Sequence, residues 1–137
     1  MTVVGFNFTK INVERKQPSK GKINISNNVL IKDIAESNFT IGQDEQKSLN
    51  IIFQFNSTYE PNVGSIELVG ELIYIDDIQR INEVHNLWVE HKKVEKDVMT
   101  EILNVVLNRC NIEALILARD INLPSPIPLP KIKVDTN

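Results

Sequence analysis

The fold is decided by the stretch Ile112-Glu113-Ala114-Leu115-Ile116-Leu117-Ala118-Arg119 and by the segment after it, Leu123-Pro124-Ser125-Pro126-Ile127-Pro128-Leu129-Pro130. The first continues an apolar helical periodicity that begins at Val94 and leaves room for a break at 108–111. The prolines hold the second in an extended conformation with few N–H donors. Because the chain before this stretch alternates as strands do, the stretch supplies the long helix that covers a sheet.

Four stretches that precede this helix have the alternation of β-strands. The first changes phase near Thr9 and Lys10, which predicts a bulge or a strand between two surroundings. The fourth contains Gly70, which predicts a bend or the close approach of another backbone. The third is the clearest, with its apolar residues on one face: Leu49, Ile51, Phe53, Phe55 and Tyr59.

The connections follow from turn and cap residues. Gln17–Gly21 predicts a turn, and the polar residues 37–47 predict a loop. Asp76 and Asp77 can cap a following helix, but residues 78–91 fit either a short helix or an irregular arm. The main helix is predicted from Lys92 to Arg119–Asp120.

These elements predict one α+β domain over residues 1–137, a four-stranded antiparallel sheet covered by one long C-terminal helix. The strands occupy about residues 3–76 and the helical part residues 78–119. A proline-rich apolar segment, which we call the strap, occupies residues 120–134.

Composition excludes several classes of function. The 137 residues carry a formal charge of −3, which argues against a nucleic-acid partner, since phosphate binding needs clustered Lys and Arg. No apolar run approaches the length of a membrane span, so we expect no membrane insertion. The single cysteine excludes an internal disulfide, and the first residues do not resemble a secretory signal, so a cytoplasmic location is expected.

Catalytic chemistry has little support in the sequence. His85 and His91 lie near carboxylates, but their spacing of six does not place both on one helical face, so solvated surface histidines are favoured over a metal site. Cys110 falls on an apolar helical face and is expected to be structural rather than nucleophilic. We therefore expect a protein that is not an enzyme and that has no metal or cofactor.

The strands are apolar on both faces, which points to binding. Leu30 and Ile34 fall opposite the main apolar set of the second strand, and Ile52, Val69 and Ile73 do so further along. Such a second face is either the interface of a homo-oligomer (a dimer or tetramer) or a surface that accepts apolar segments of other chains. The strap has two readings as well. It either packs Leu123, Ile127, Leu129 and Ile132 over the core or forms one wall of a groove.

In this layout the chain resembles SecB-like export chaperones. The segment Phe6-Asn-Phe-Thr-Lys10-Ile-Asn-Val13-Glu14-Arg-Lys-Gln-Pro18 is similar to the family's first strand and turn. Ala118-Arg119-Asp120-Ile-Asn-Leu123-Pro124-Ser-Pro126-Ile127-Pro128-Leu129-Pro130-Lys-Ile132 is similar to its helix end and Pro-rich segment. The resemblance covers most of the chain in layout, through short motifs.

The resemblance implies an ATP-independent holdase that binds unfolded polypeptides in apolar grooves, often as a tetramer built from dimers, and that serves protein export. The residues that match the family's grooves are Phe53, Phe55, Tyr59, Leu123, Ile127 and Leu129. The family's second helix and its zinc-binding tail have no counterpart, so docking to an export motor ATPase is doubtful. General antiaggregation or service to a toxin–antitoxin pair is as plausible as export, and the alternative is a structural or regulatory subunit that recognises one folded partner.

Overall fold

The computed structural model describes residues 2–17 and 21–129. Four strands form one antiparallel sheet: β1 (Thr2–Arg15), β2 (Asn24–Ile41), β3 (Asp44–Glu60) and β4 (Gly64–Ile75). Two helices follow, α1 (Ile78–His91) and α2 (Lys96–Asp120). The α+β class and the four-stranded antiparallel sheet are thus confirmed, whereas the prediction of a single covering helix is wrong. Residues 18–20 of the predicted turn and residues 130–134 of the strap, including Pro130 and Ile132, lie outside the described residues.

The spatial order of the strands is β1-β4-β3-β2. Strands β2, β3 and β4 form a meander of neighbours, and β1 lies beside β4 at the far edge, as in a Greek key. The alternation predicted for β3 and β4 is confirmed. Both strands bury their main apolar sets on the same face of the sheet: Leu49, Ile51, Phe53, Phe55, Tyr59, Ile66, Leu68, Leu72 and Tyr74. We call this the helix face.

Bulges correct the phase of both edge strands. In β1 the register shifts between Phe8 and Lys10, so the predicted bulge is present, and Ile11 pairs with Leu68 on the helix face. In β2 the register shifts between Ile31 and Asp33. Ile34 therefore lies in the core rather than on the second face, where the sequence placed it. Strict alternation cannot reveal an inserted residue, which explains the error.

The predicted loop at 37–47 is wrong. Strands β2 and β3 continue through it and meet at a two-residue turn of Gly42 and Gln43, where Gly42 has a φ of +64°. A positive φ at the first of the two turn residues is typical of the tight turns that connect the strands of a hairpin. The polar composition reflects the hairpin's position, because most of these residues are exposed or half-buried and lack a buried apolar face.

Helix α1 is a full helix, which resolves the ambiguity of residues 78–91. Asp77 caps it, since its carboxylate accepts from the Arg80 N–H at 2.9 Å. Lys92, with a φ of +53°, ends it, so α2 begins at Lys96 rather than at Lys92. Helix α2 then runs unbroken through 108–111 and buries one stripe on the helix face: Val98, Ile102, Val106, Cys110, Ala114 and Ala118.

Gly70 lies where β1, β3 and β4 are tightly packed. A Cβ at this position would lie 2.5 Å from the Asn7 carbonyl oxygen and 2.5 Å from Phe53 Cζ. The predicted close approach of another backbone is therefore confirmed. Phe53 in turn stacks on Phe6 and meets the edge of Phe8, so the aromatic centre of the core lies under this glycine.

Candidate functional site

The strap leaves α2 through a short turn and returns over the helix face. Asn122 takes a φ of +59°, and the Leu123 N–H donates to the Ala118 carbonyl at 2.8 Å. Leu123 is buried against the start of β4, where a Cβ on Gly64 would lie 3.0 Å from its Cδ2. The strap therefore begins as a firmly packed extension of the helix.

Beyond Leu123 the strap is held by side chains of the sheet. Tyr59 on β3 donates its hydroxyl proton to the Pro124 carbonyl at 2.6 Å. Asn27 on β2 donates from Nδ2 to the Pro126 carbonyl at 2.8 Å. In the part of the chain that the structure describes, no backbone–backbone hydrogen bond outside the helices and strands involves residues 124–129. The prolines explain this, because they have no N–H with which to join a ladder.

The hydroxyl of Tyr59 remains a donor over a wide pH range. Burial raises the pKa of Tyr59 to about 12, because ionisation would place a charge beneath the strap. Ser57, on the same strand and face, is also buried, and a weak interaction of its Oγ with Tyr59 partly offsets the rise in the Tyr59 pKa. The Ser57 Oγ makes no further hydrogen bond among the described residues. The strap thus covers a polar row of Asn27, Ser57 and Tyr59 within an otherwise apolar face.

An open groove with a volume of about 490 Å³ lies between the strap and the end of α2. Its lining is mostly apolar, with one cationic side chain: Leu115, Ile116, Ala118, Arg119, Leu123, Ser125 and Leu129. Ile116 is 40% exposed and Leu129 52% exposed, so the groove presents apolar surface to solvent. Its size lies in the range of about 300–1,000 Å³ typical of ligand pockets.

The structure separates the six predicted binding residues into two groups. Phe53 and Phe55 are fully buried in the core and do not line the groove. Tyr59 is also buried but touches the strap through its hydroxyl. Leu123 and Leu129 line the groove, and Ile127 is half-buried within the strap.

Several residues of the site were not among the predicted binding residues, and Asn27, Leu115 and Ile116 are the most informative of them. Asn27 is separated from its partner Pro126 by 99 residues, and no local pattern links the two. Leu115 and Ile116 were seen only as helix residues. Their signal was the apolar character of the last turns of α2 on nearly every side, since a helix with one covered face needs only one apolar stripe.

The two histidines do not form a common site. His85 Nδ1 lies 3.2 Å from Glu36 Oε1, and His91 Nε2 lies 3.8 Å from Glu90 Oε2 at the surface. Over residues 2–17 and 21–129, no group of three His, Cys, Asp or Glu side chains is placed to hold a metal ion. Cys110 is buried in α2, and burial raises the pKa of its thiol to about 12, which disfavours the nucleophilic thiolate.

Comparison with known proteins found no matching family model, no matching curated protein and no matching solved structure. Neither of the two described helices combines the length and apolar character needed to cross a membrane.

Proposed function

We propose that this protein is an ATP-independent holdase that binds extended segments of non-native polypeptides in the groove between α2 and the strap. The observation that carries the proposal is an open apolar groove with one wall formed by the strap, whose described residues 124–129 make no backbone–backbone hydrogen bond. Exposed aliphatic surface of this kind gains free energy when an apolar segment covers it. The likeness to SecB-like chaperones belongs to the same proposal and is supported by the element order and the strap.

The lining suits a client of variable sequence. Aliphatic side chains such as Ile116 and Leu129 make non-directional contacts, which favour apolar segments without selecting one sequence. Arg119 adds a cation that can pair with client carboxylates or carbonyl oxygens. The groove therefore fits a promiscuous binder better than a site for one small molecule.

Self-association is part of this proposal. The second face of the sheet carries half-buried Ile52, Val69 and Ile73 and a 40% exposed Leu30. Between them lie polar contacts, among them Asn50 Nδ2 to Glu71 Oε2 at 3.1 Å. A mixed surface is usual for interfaces that are not permanently buried, and sedimentation analysis of the purified protein tests for a dimer or tetramer.

The test of the holdase is suppression of aggregation when a chemically denatured client is diluted into buffer. We expect light scattering to fall as the protein is added at up to several-fold molar excess. Ile116→Asp places a charge on the α2 side of the groove, outside the strap, and should weaken client binding by about tenfold, since a buried Ile contributes about 1.5–3 kcal/mol. Ile78→Asp is the matched control, because Ile78 is 65% exposed on α1 and lies outside the groove lining.

Two outcomes would reject the proposal. The first is undiminished aggregation at the highest excess. The second is equal loss of protection in Ile116→Asp and Ile78→Asp, which would show that the groove has no special part. A pull-down that yields one folded protein in fixed stoichiometry, with no affinity for denatured chains, would instead support a structural or regulatory subunit.

A further inference from the structure

The polar row beneath the strap is arranged for one kind of ligand. Asn27 lies directly opposite Ser57 across the β2–β3 pair, and Tyr59 lies two residues further along β3 on the same face. Two of these residues donate to carbonyl oxygens of the strap. The third, Ser57, is buried, and beyond a weak interaction with Tyr59 its Oγ has no described hydrogen-bond partner. The row therefore offers side-chain donors to a segment that brings carbonyl acceptors.

The spacing of the row fits an extended backbone. Diagonal neighbours on adjacent strands lie about 7–8 Å apart. A polyproline-like segment rises about 3.1 Å per residue, so two residues advance about 6 Å. The two accepting carbonyls belong to Pro124 and Pro126, two residues apart. The contacts use only backbone carbonyls, so they do not depend on which side chains the segment carries.

The strap fills this position through few contacts. Leu123 and Pro126 are buried, but Ile127 is only half-buried and Leu129 is half-exposed. The Ser125 hydroxyl donates a hydrogen bond to the Ile127 carbonyl, within the strap and not to the sheet. A segment held by two side-chain donors and a small apolar area can be replaced by another segment that makes equal contacts.

We propose that the strap occupies, in its own chain, a binding site for extended proline-containing segments of other polypeptides, and that such a segment binds by displacing residues 124–129. The inference rests on the proposed function, because it extends the binding surface from the groove to the polar row beneath its strap wall and names the segment class that binds there. It makes the strap a built-in competitor, because the apparent affinity of the site equals its intrinsic affinity multiplied by the fraction of time that the strap leaves it free.

The experiment uses the full chain and a fluorescent peptide with the sequence of residues 121–130, Ile-Asn-Leu-Pro-Ser-Pro-Ile-Pro-Leu-Pro. Ile127→Asp weakens the strap and leaves the donors of the sheet intact. We expect it to bind the peptide about tenfold more tightly than the unmodified chain does, as measured by fluorescence anisotropy. Ile78→Asp, the same substitution on α1, should leave the affinity unchanged.

Removing a donor separates competition from general loosening. Because Ile127→Asp already detaches the strap for most of the time, adding Tyr59→Phe should lower peptide affinity about fivefold: the peptide loses its hydrogen bond to Tyr59, and the weakened strap has little binding left to lose. Asn27→Ala provides a second donor variant, since Asn27 is surface-exposed and its removal spares the core. Circular dichroism and thermal melting verify that each variant is folded.

Two results would overturn the inference. One is an Ile127→Asp variant that binds the peptide no more tightly than the unmodified chain. The other is folded donor variants that keep the full gain in affinity. Aggregation suppression, measured in parallel, distinguishes the two proposals. Client protection without the affinity change defeats only the strap inference, and the affinity change without client protection defeats only the holdase.

Discussion

Helix α1 and the strap cover opposite ends of the same sheet face by different means. Away from its ends, the backbone N–H and C=O groups of helix α1 are hydrogen-bonded within the helix, and α1 buries Ile81, Val84 and Trp88 against the core. Its Trp88 Nε1 also donates to Asp33 on β2 at 3.2 Å. Over residues 124–129 the described part of the strap has no backbone ladder. It buries Leu123 and Pro126 and is otherwise held by Tyr59 and Asn27. A cover with its own hydrogen bonds forms a permanent part of the core, whereas a cover bound by the sheet's side chains can be exchanged.

The largest effect should come from breaking the helical cover. Trp88→Ala removes a nearly buried indole and leaves Asp33 without this donor, so we expect a loss of about 3 kcal/mol in the free energy of unfolding. Urea unfolding followed by circular dichroism measures it. Val89→Ala, one residue along and 56% exposed, should change stability by less than about 0.5 kcal/mol. Equal losses in both variants would contradict this account of α1.

Alkaline pH should act on the strap end of the face. The pKa of Tyr59 is raised to about 12, so between pH 10 and 12 the unfolded chain loses this proton while the folded chain keeps it. The stabilisation is therefore complete below pH 10 and is lost as pH rises, by up to about 2 kcal/mol. Tyr59→Phe should lose less stability over this range, and the remainder should include Tyr74, whose pKa burial also raises. Parallel curves for the two chains would contradict the assignment.

At neutral pH the same Tyr59→Phe substitution should have a smaller effect. It keeps the buried ring and removes only the hydrogen bond to Pro124, which corresponds to about 1 kcal/mol of unfolding free energy. Thermal unfolding at pH 7 provides the measurement. A loss as large as that of Trp88→Ala would mean that the strap is as integral to the fold as α1, which would remove the distinction between the two covers.

The smallest change is expected for Asn27→Ala. Asn27 is exposed, so water competes for the hydrogen bond that its side-chain amide donates to the Pro126 carbonyl. This bond should contribute about 0.5 kcal/mol to the free energy of unfolding. Native-state hydrogen exchange sharpens the result, since the Ile127 and Leu129 amides should exchange faster than those in the interior of α1 in every variant. Slow exchange at Ile127 and Leu129 would contradict the weak attachment of the strap.

Sequence reasoning succeeded where one local pattern determines the structure. The alternation from Leu49 to Tyr59 placed β3 with its buried face, and Gly70 indicated a close backbone contact. The predicted face of Ile34 was wrong because a β-bulge moves the following side chains of β2 to the opposite face, and no feature of the composition marks such a bulge. Sequence reasoning failed at the β2–β3 hairpin because strand ends without a buried face have no apolar alternation to read.

The candidate site was only partly predictable for a related reason. The strap was visible as a proline-rich segment, and two of the residues that the sequence assigned to it, Leu123 and Leu129, line the groove. Its partner Asn27 was not visible, because a hydrogen bond across 99 residues depends on the strand order and not on spacing. Phe53 and Phe55 could not be told from accessible apolar residues until the positions of both helices were known.

The position of β1 beside β4 has a consequence for synthesis of the protein. Thr2 pairs with Ile75 and Arg15 with Gly64, so β1 is synthesised before β4, its neighbour in the described sheet, and stays unpaired until β4 has been made. The β2–β3–β4 meander closes through short loops and can form beforehand. We therefore expect the nascent chain to hold an unpaired first strand, with Phe6 and Phe8, until β4 has emerged. During translation β1 is thus itself an exposed, extended apolar segment of the kind that the protein is proposed to bind.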